Sequence, residues 1–401
     1  MSGEVETCRV LDTILDFIVY MSVEQNFVTV PGVPNLPVGP QCKVRRLSLQ
    51  YNTKEDSMDF CHVRSISVFG RSMGIPDVMK SRFLRVLDLE GCYLLSCHHL
   101  ESIARELIQT QVPELQKHKF MSPEGIGNMQ ALEELKIINL YEQSSRFWLE
   151  ISLLSNLRDL SILWNPISHL RKRKRDPGLS DVYSFDQPTW NNVVSSICKL
   201  GTCNLRSLSI HNHGYQDVCF KSWHPVPHCL QKLAITGDFI KHVPGWVGSL
   251  ANIQKLELHV EEVRQDDVQI IGSLPALLYL SICIGPKGRV QLEVISTHGF
   301  TCLGHLRIGG SDECVLGLMF EPGSMPKLEV LVLVFDAIET SRLCNLDFAF
   351  GIEHLPCLTS IRCDIHSLGE ILPPSKAVMV AMDRVVRTHP NHLKQTINIL
   401  G

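Results

Sequence analysis

One short phrase recurs along the chain and limits its fold more than any other feature. In it an apolar residue is followed by two variable ones, a second apolar, one more variable and a third apolar. The phrase appears as VRRLSL, VRSISV, LRVLDL, LEELKI, LRDLSI, LRSLSI, LQKLAI, IQKLEL, LLYLSI, LGHLRI, LEVLVL and LTSIRC. Its central residues are Leu47, Ile66, Leu87, Leu135, Leu160, Leu208, Leu233, Leu256, Leu280, Leu306, Leu331 and Ile361, in steps of 19, 21, 48, 25, 48, 25, 23, 24, 26, 25 and 30 residues.

Steps of roughly 20–29 residues are the period of leucine-rich solenoids, and the two steps of 48 read as doubled ones. Alternating residues of a strand point to opposite sides, so the phrase leucines turn inward while the residues between them face out. One such unit cannot bury its apolar edge alone; neighbours must stack. The implied fold is α/β: a leucine-rich-repeat solenoid, or horseshoe, with parallel strands on the concave face and short helices and loops on the convex one. PTWNNVVSSICKLG reads as a convex helix with Val193, Val194, Ile197 and Leu200 inward and Gly201 as its stop. VPGWVGSLANI and SPEGIGNMQAL are looser, Pro- and Gly-punctuated versions.

Three segments follow: residues 1–40, a lone helix and a Pro-rich linker; 41–374, the repeats; and 375–401, a C-terminal cap with a helix over 375–387. The lone helix, CRVLDTILDFI, places Val10, Leu11, Ile14, Leu15 and Ile18 at helical spacing. Between Leu87 and Leu135 no good phrase occurs, so a strand there is weak or lost. Between Leu160 and Leu208 lies an insertion, LRKRKRDPGLSDVYSFDQ, expected to project as a loop.

Composition narrows the function. A net charge of −4 supplies no global field for nucleic acid. No apolar run approaches the length of about 18 residues needed to cross a membrane. Fifteen cysteines without a secretory leader suggest buried free thiols in a reducing, cytoplasmic setting.

The ordered set CRVLDTILDFI, EQNFVT, a Pro-rich linker, VRRLSLQ, HVRSISVF, FLRVLDLEGC, PEGIGN and the terminal HPN resembles plant coiled-coil nucleotide-binding (NB-ARC) leucine-rich-repeat disease-resistance receptors, especially those of grasses. The resemblance implies that residues 1–40 end a winged-helix element and that the repeats are a sensor and restraining region. It would detect a pathogen effector or guarded host protein and contact the nucleotide-binding module. By position Val10, Leu11 and Asp12 match that family's Met-His-Asp-type motif, with Leu11 in place of the histidine near the nucleotide. The family binds ADP or ATP in a module this chain lacks, and no GxxxxGK[ST] occurs, so no cofactor is expected here. The other reading is a substrate adaptor of a ubiquitin ligase; a truncated fragment or decoy is a third.

Candidate partner-binding residues are those between the phrase leucines: Lys232, Lys255, Glu257, His259, Tyr279, His305, Arg307, Val330, Val332, Val334, Arg362 and Asp364, with Trp164. An ordinary solvated inner face accounts for any one of them; a ligand-facing stripe is the functional reading, since Tyr, Trp and Arg dominate interface hot spots. The three valines suit an exposed apolar patch, or else a covering cap. Trp164 either anchors a partner or, the favoured reading, closes the core. Arg171, Lys172, Arg173, Lys174 and Arg175 form a basic run, read as a solvated loop tip or a nuclear localisation signal. Residues 198–229 are rich in Cys and His but lack metal-ligand spacing, and no nucleophile signature appears, so neither a metal site nor catalysis is expected.

Overall fold

The computed structural model describes residues 11–24, 44–49, 62–68, 83–89, 126–139, 145–164, 190–213, 223–286, 289–291, 299–310, 313–344, 348–366 and 373–400. The chain forms two compact units, Met1–Leu160 with Phe185–Pro188, and Ser161–Ser184 with Thr189–Gly401.

The first unit begins with helix α1, Asp12–Glu24. It continues past the expected Ile18; Leu11 just before it and its own Ile14, Leu15, Phe17 and Ile18 are all exposed. Strands β1 (Arg46–Leu49), β2 (Ser65–Val68), β3 (Val86–Asp88) and β4 (Glu134–Asn139) follow, pairing in parallel in that order. Leu47, Ile66, Leu87 and Leu135 align in one register row, each almost wholly buried. β3 pairs directly with β4, and residues 90–125 of the first doubled step lie outside the described residues. Helix α2, Ser145–Ile151, closes the return with Phe147, Trp148 and Ile151 buried. Strand β5, Asp159–Trp164, starts in this unit and finishes in the second.

The second unit carries helix α3 (Trp190–Gly201) and strands β6 (Ser207–Asn212), β7 (Lys232–Ile240) and β8 (Lys255–Val260). Helix α4 (Gln265–Gly272), β9 (Tyr279–Ile284), β10 (Arg289–Gln291), β11 (His305–Gly310), β12 (Val315–Gly317) and β13 (Val330–Asp336) come next. Helix α5 (Ala337–Cys344), β14 (Ser360–His366), helix α6 (Pro373–Thr388) and β15 (Lys394–Leu400) complete it. The parallel order is β6-β7-β8-β9-β11-β13-β14-β15, while β10 and β12 pair separately. Leu208, Leu233, Leu256, Leu280, Leu306, Leu331 and Ile361 lie in one row, at most 2% exposed. Each such residue hides an apolar side chain for roughly 1.5–3 kcal/mol, shared between two neighbouring repeats.

Most described repeats are stitched to the last by a forked hydrogen bond at the start of the strand. The amides of Gln254 and Lys255 both donate to the Gln231 carbonyl, those of Leu278 and Tyr279 to Gln254, and those of Thr359 and Ser360 to Glu329. Asparagines reinforce the stitch: Asn156 Nδ2 donates to Gln130 O (2.7 Å), Asn252 to His228 O (2.8 Å) and Asn391 to Pro356 O (2.7 Å). Buried Asp267 in α4 accepts from the amides of Arg264 and Val243, tying two successive returns, and burial raises its pKa.

Helix α3 matches the expected convex helix, with Val193, Val194, Ile197 and Leu200 buried. Gly201 is needed for closeness, since a Cβ there would stand 2.1 Å from Pro227. The Pro- and Gly-punctuated returns form short 3-10 turns at Ile126–Asn128 and Gly245–Ser249. After α6, β15 pairs with β14 along its length, a strand that the sequence phrase does not announce. Its row position opposite Ile361 is Gln395, where other repeats carry leucine or isoleucine.

Candidate recognition surface

Between the buried rows, the intervening side chains of β6 to β15 share the open side of the sheet. The first row runs Ser207, Lys232, Lys255, Tyr279, His305, Val330, Ser360, Lys394. The second runs Ser209, Ala234, Glu257, Ser281, Arg307, Val332, Arg362, Thr396. The register thus places twelve of the expected residues, Lys232 through Asp364, on one face. Among its described residues, histidines aside, five cations (Lys232, Lys255, Arg307, Arg362, Lys394) face three carboxylates (Glu257, Asp336, Asp364). This face is cationic although the chain as a whole is acidic.

A stacked ladder crosses three strands. Lys255 Nζ pairs with Glu257 at 3.1 Å and lies 5.0 Å from the Tyr279 ring centre. The Tyr279 and His305 rings stack at 4.6 Å and 20°. Burial, then Glu257, raises the Tyr279 pKa; burial, then the nearby cations Arg307 and Lys255, lowers that of His305. His305 is therefore neutral, and Tyr279 protonated, near neutral pH. His259 stacks on Phe239 at 5.6 Å, its Nδ1 within 3.1 Å of the Gly237 amide and 3.0 Å of its carbonyl. Lys232 is exposed.

A second cluster is closed on itself. Arg362 Nε donates to Asp364 Oδ1 at 2.8 Å, and Asn398 Nδ2 donates to the same oxygen at 2.7 Å. Burial pushes the Asp364 carboxyl up, but these two hydrogen bonds, with the charges of Arg362 and Arg307, outweigh it and hold its pKa below the ordinary value.

Three expected positions, Val332, Val334 and Asp364, need correction, while Trp164 takes the favoured of its two readings. Val332 and Val334 are 3% and 5% exposed, so no exposed valine patch exists; only Val330 is half-exposed. Val332 sits in register between Arg307 and Arg362, and Val334 between Gly309 and Asp364. Arginine stems flank the first, while glycine's missing side chain lets β13 come close to the second. Trp164 is 2% exposed because it follows Leu160 and Ile162 on the inward side of β5; it belongs to the core. Asp364, at 5% exposed, is a buried acceptor rather than a free contact.

Leu11 is exposed beside Asp12 at the start of α1, whereas Val10 and Arg171–Arg175 lie outside the described residues. Sequence reasoning missed Thr396 and Asn398 on β15; the alternation of Gln395, Ile397 and Ile399 is the signal that could have found them.

Parallel strands at a repeat spacing, inward leucine rows and one polar face define a leucine-rich repeat solenoid. Residues 110–394 match the leucine-rich repeat region family, and the chain belongs to it. Its relatives are disease resistance proteins of Oryza sativa subsp. japonica. It is 22% identical to PIK6-NP over 92% of this chain and 43% of that protein. To RGA5 it is 25% identical, over 99% of this chain and 39% of the relative. To RGA4 it is 34% identical, over 83% and 37% respectively. The chain thus spans about two fifths of the length of these relatives. Among solved structures it is similar to a leucine-rich repeat protein of Leptospira interrogans, at 15% identity and a TM-score of 0.44, over 88% of this chain and 72% of that one.

Proposed function

We propose that this chain is the recognition region of a plant intracellular immune receptor. In this reading it binds a pathogen effector or a guarded host protein, and it restrains a nucleotide-binding module until that ligand arrives. The observation that carries the proposal is the cationic, aromatic-bearing open face of β8 to β11 in a chain similar to rice disease resistance proteins. Tyr and Arg set among half-buried neighbours are the residue types on which protein interfaces concentrate binding energy. Restraint and release would work by population shift, the partner binding the released arrangement better than the restrained one.

The reading assigns recognition rather than catalysis, and no cofactor, to this chain. It places the protein in the cytoplasm or, if Arg171–Arg175 serve as a localisation signal, the nucleus. No described helix is long and apolar enough to cross a membrane. The exposed face of α1 suits packing against the nucleotide-binding module that the resemblance implies.

The test is capture from infected and healthy leaf extract with the full chain, beside Tyr279→Ala and Gln269→Ala variants. Gln269 is exposed on α4, away from the open face. The reading expects a protein enriched from infected tissue, retained by Gln269→Ala and lost by Tyr279→Ala. Equal capture by all three would contradict it.

A further inference from the structure

On β11, two open-face side chains differ from all other charged or aromatic groups around them. Arg307 is half-buried and, among the described residues, makes no hydrogen bond or ion pair. His305 Nε2 is buried without a hydrogen-bond partner. The face's three carboxylates form no hydrogen bond or ion pair with them, and Asp336 accepts the Glu339 amide. Glu257 is taken by Lys255, and Asp364 accepts from both Arg362 and Asn398.

Arg307 is thus a guanidinium that has lost part of its water without gaining a hydrogen-bonded counter-charge; Asp364 feels its charge only at a distance. Its charge already acts on its surroundings, lowering His305 and opposing the burial that raises Cys283. Ser281 and Val332 flank it in register, the Tyr279–His305 stack stands on one side, and the next open-face position on its own strand is Gly309. A charged group left partly desolvated favours any ligand that restores its hydrogen bonds. A planar carboxylate fits best, because the guanidinium fork can give it two parallel N–H donors.

We propose that Arg307, with Tyr279 and His305 beside it, is a carboxylate-binding site that receives an Asp or Glu side chain of the protein partner. Arg307 supplies the charge and both donors. His305 is neutral, adds no second cation, and offers Nε2 to a carboxylate oxygen once its cover is displaced. Tyr279 packs against the stem of the acidic residue. The inference rests on reading this face as a recognition surface and specifies the chemistry it selects.

The probe is a library of random linear peptides displayed on phage, selected on the immobilised full chain. Peptides selected on the wild type should share an acidic residue at one position. The consensus peptide should bind Arg307→Gln on the order of ten- to a hundredfold more weakly. Changing its acid to the amide should produce the same loss, and the two changes together little more. A Lys199→Gln variant, on the exposed side of convex helix α3, should bind as the wild type does, and all thermal midpoints should coincide. Three outcomes would overturn the site: no peptide enriched, selected peptides without a shared acid, or affinity unchanged in Arg307→Gln. Peptides that need Tyr279 but no acid would remove the carboxylate site and leave the recognition reading standing. Inorganic phosphate displacing acid-free peptides at matched ionic strength would replace it with a phosphate site.

Discussion

Strands β11 and β13 lie side by side, expose the same register positions to the same side, and behave as opposites. Arg307 on β11 is half-buried and unpaired among the described residues; Val332, its register partner on β13, is 3% exposed. The next strand, β14, carries Arg362 and Asp364, which satisfy each other with the help of Asn398. Within three strands, one face therefore passes from a polar site open to a partner, through a covered apolar stripe, to a closed polar network. Sidedness and exposure are separate properties. Alternation fixes the first, whereas the bulk and pairing of neighbouring strands fix the second.

The sharpest way to break this comparison is Val334→Asp. Burying a carboxylate in register with Asp364 and Gly309, with no cation beside it, should cost about 3 kcal/mol or more and lower the thermal midpoint by many degrees. A nearly unchanged midpoint would mean the valine row is wet. Next comes Asp364→Asn, which weakens the hydrogen bonds from Arg362 and Asn398 and should cost about 1–3 kcal/mol at neutral pH. Because the folded carboxyl titrates below its ordinary value of 3.8, its stabilising effect is present above that pH and is lost as pH falls through the folded pKa. The gap between wild type and variant in urea titrations should therefore close in acid.

His305→Gln has a smaller effect with a distinct pH signature. The folded pKa lies below 6.5, so the wild type should lose stability as pH falls beneath 6.5 toward that folded value. The variant should lose less over the same window. Smallest of all is Arg307→Gln, expected to change stability by no more than about 0.5 kcal/mol. A loss as large as that of Val334→Asp would show that Arg307 holds the fold together and is not free for a partner.

The repeat was legible because its phrase repeats a physical requirement. Leu208, Leu256 and Leu331 must all face inward if the stack is to hide them, and they fall in one row. Trp164 could have been placed by the same rule, since it shares the parity of Leu160 and Ile162. Strand β15 escaped because Gln395 stands at the row position that the phrase reserves for an aliphatic residue. Which open-face charges are paired was not legible at all. Lys255 with Glu257 and Arg362 with Asp364 are neighbours within their own strands, but nothing in the sequence says that Arg307 is left over or that Asn398, 34 residues away, completes the Asp364 site.

The account stands on the open side of β8 to β11 being where a partner is held. An alanine scan of the full chain against the protein captured from infected tissue measures this directly, comparing Lys255, Tyr279 and Arg307 with exposed return-side positions such as Gln269 and Glu353. The predicted result is that affinity losses of tenfold or more, about 1.4 kcal/mol each, gather at the first three with thermal midpoints unchanged. Losses gathered on the return side, with Tyr279→Ala and Arg307→Ala binding normally, would contradict it.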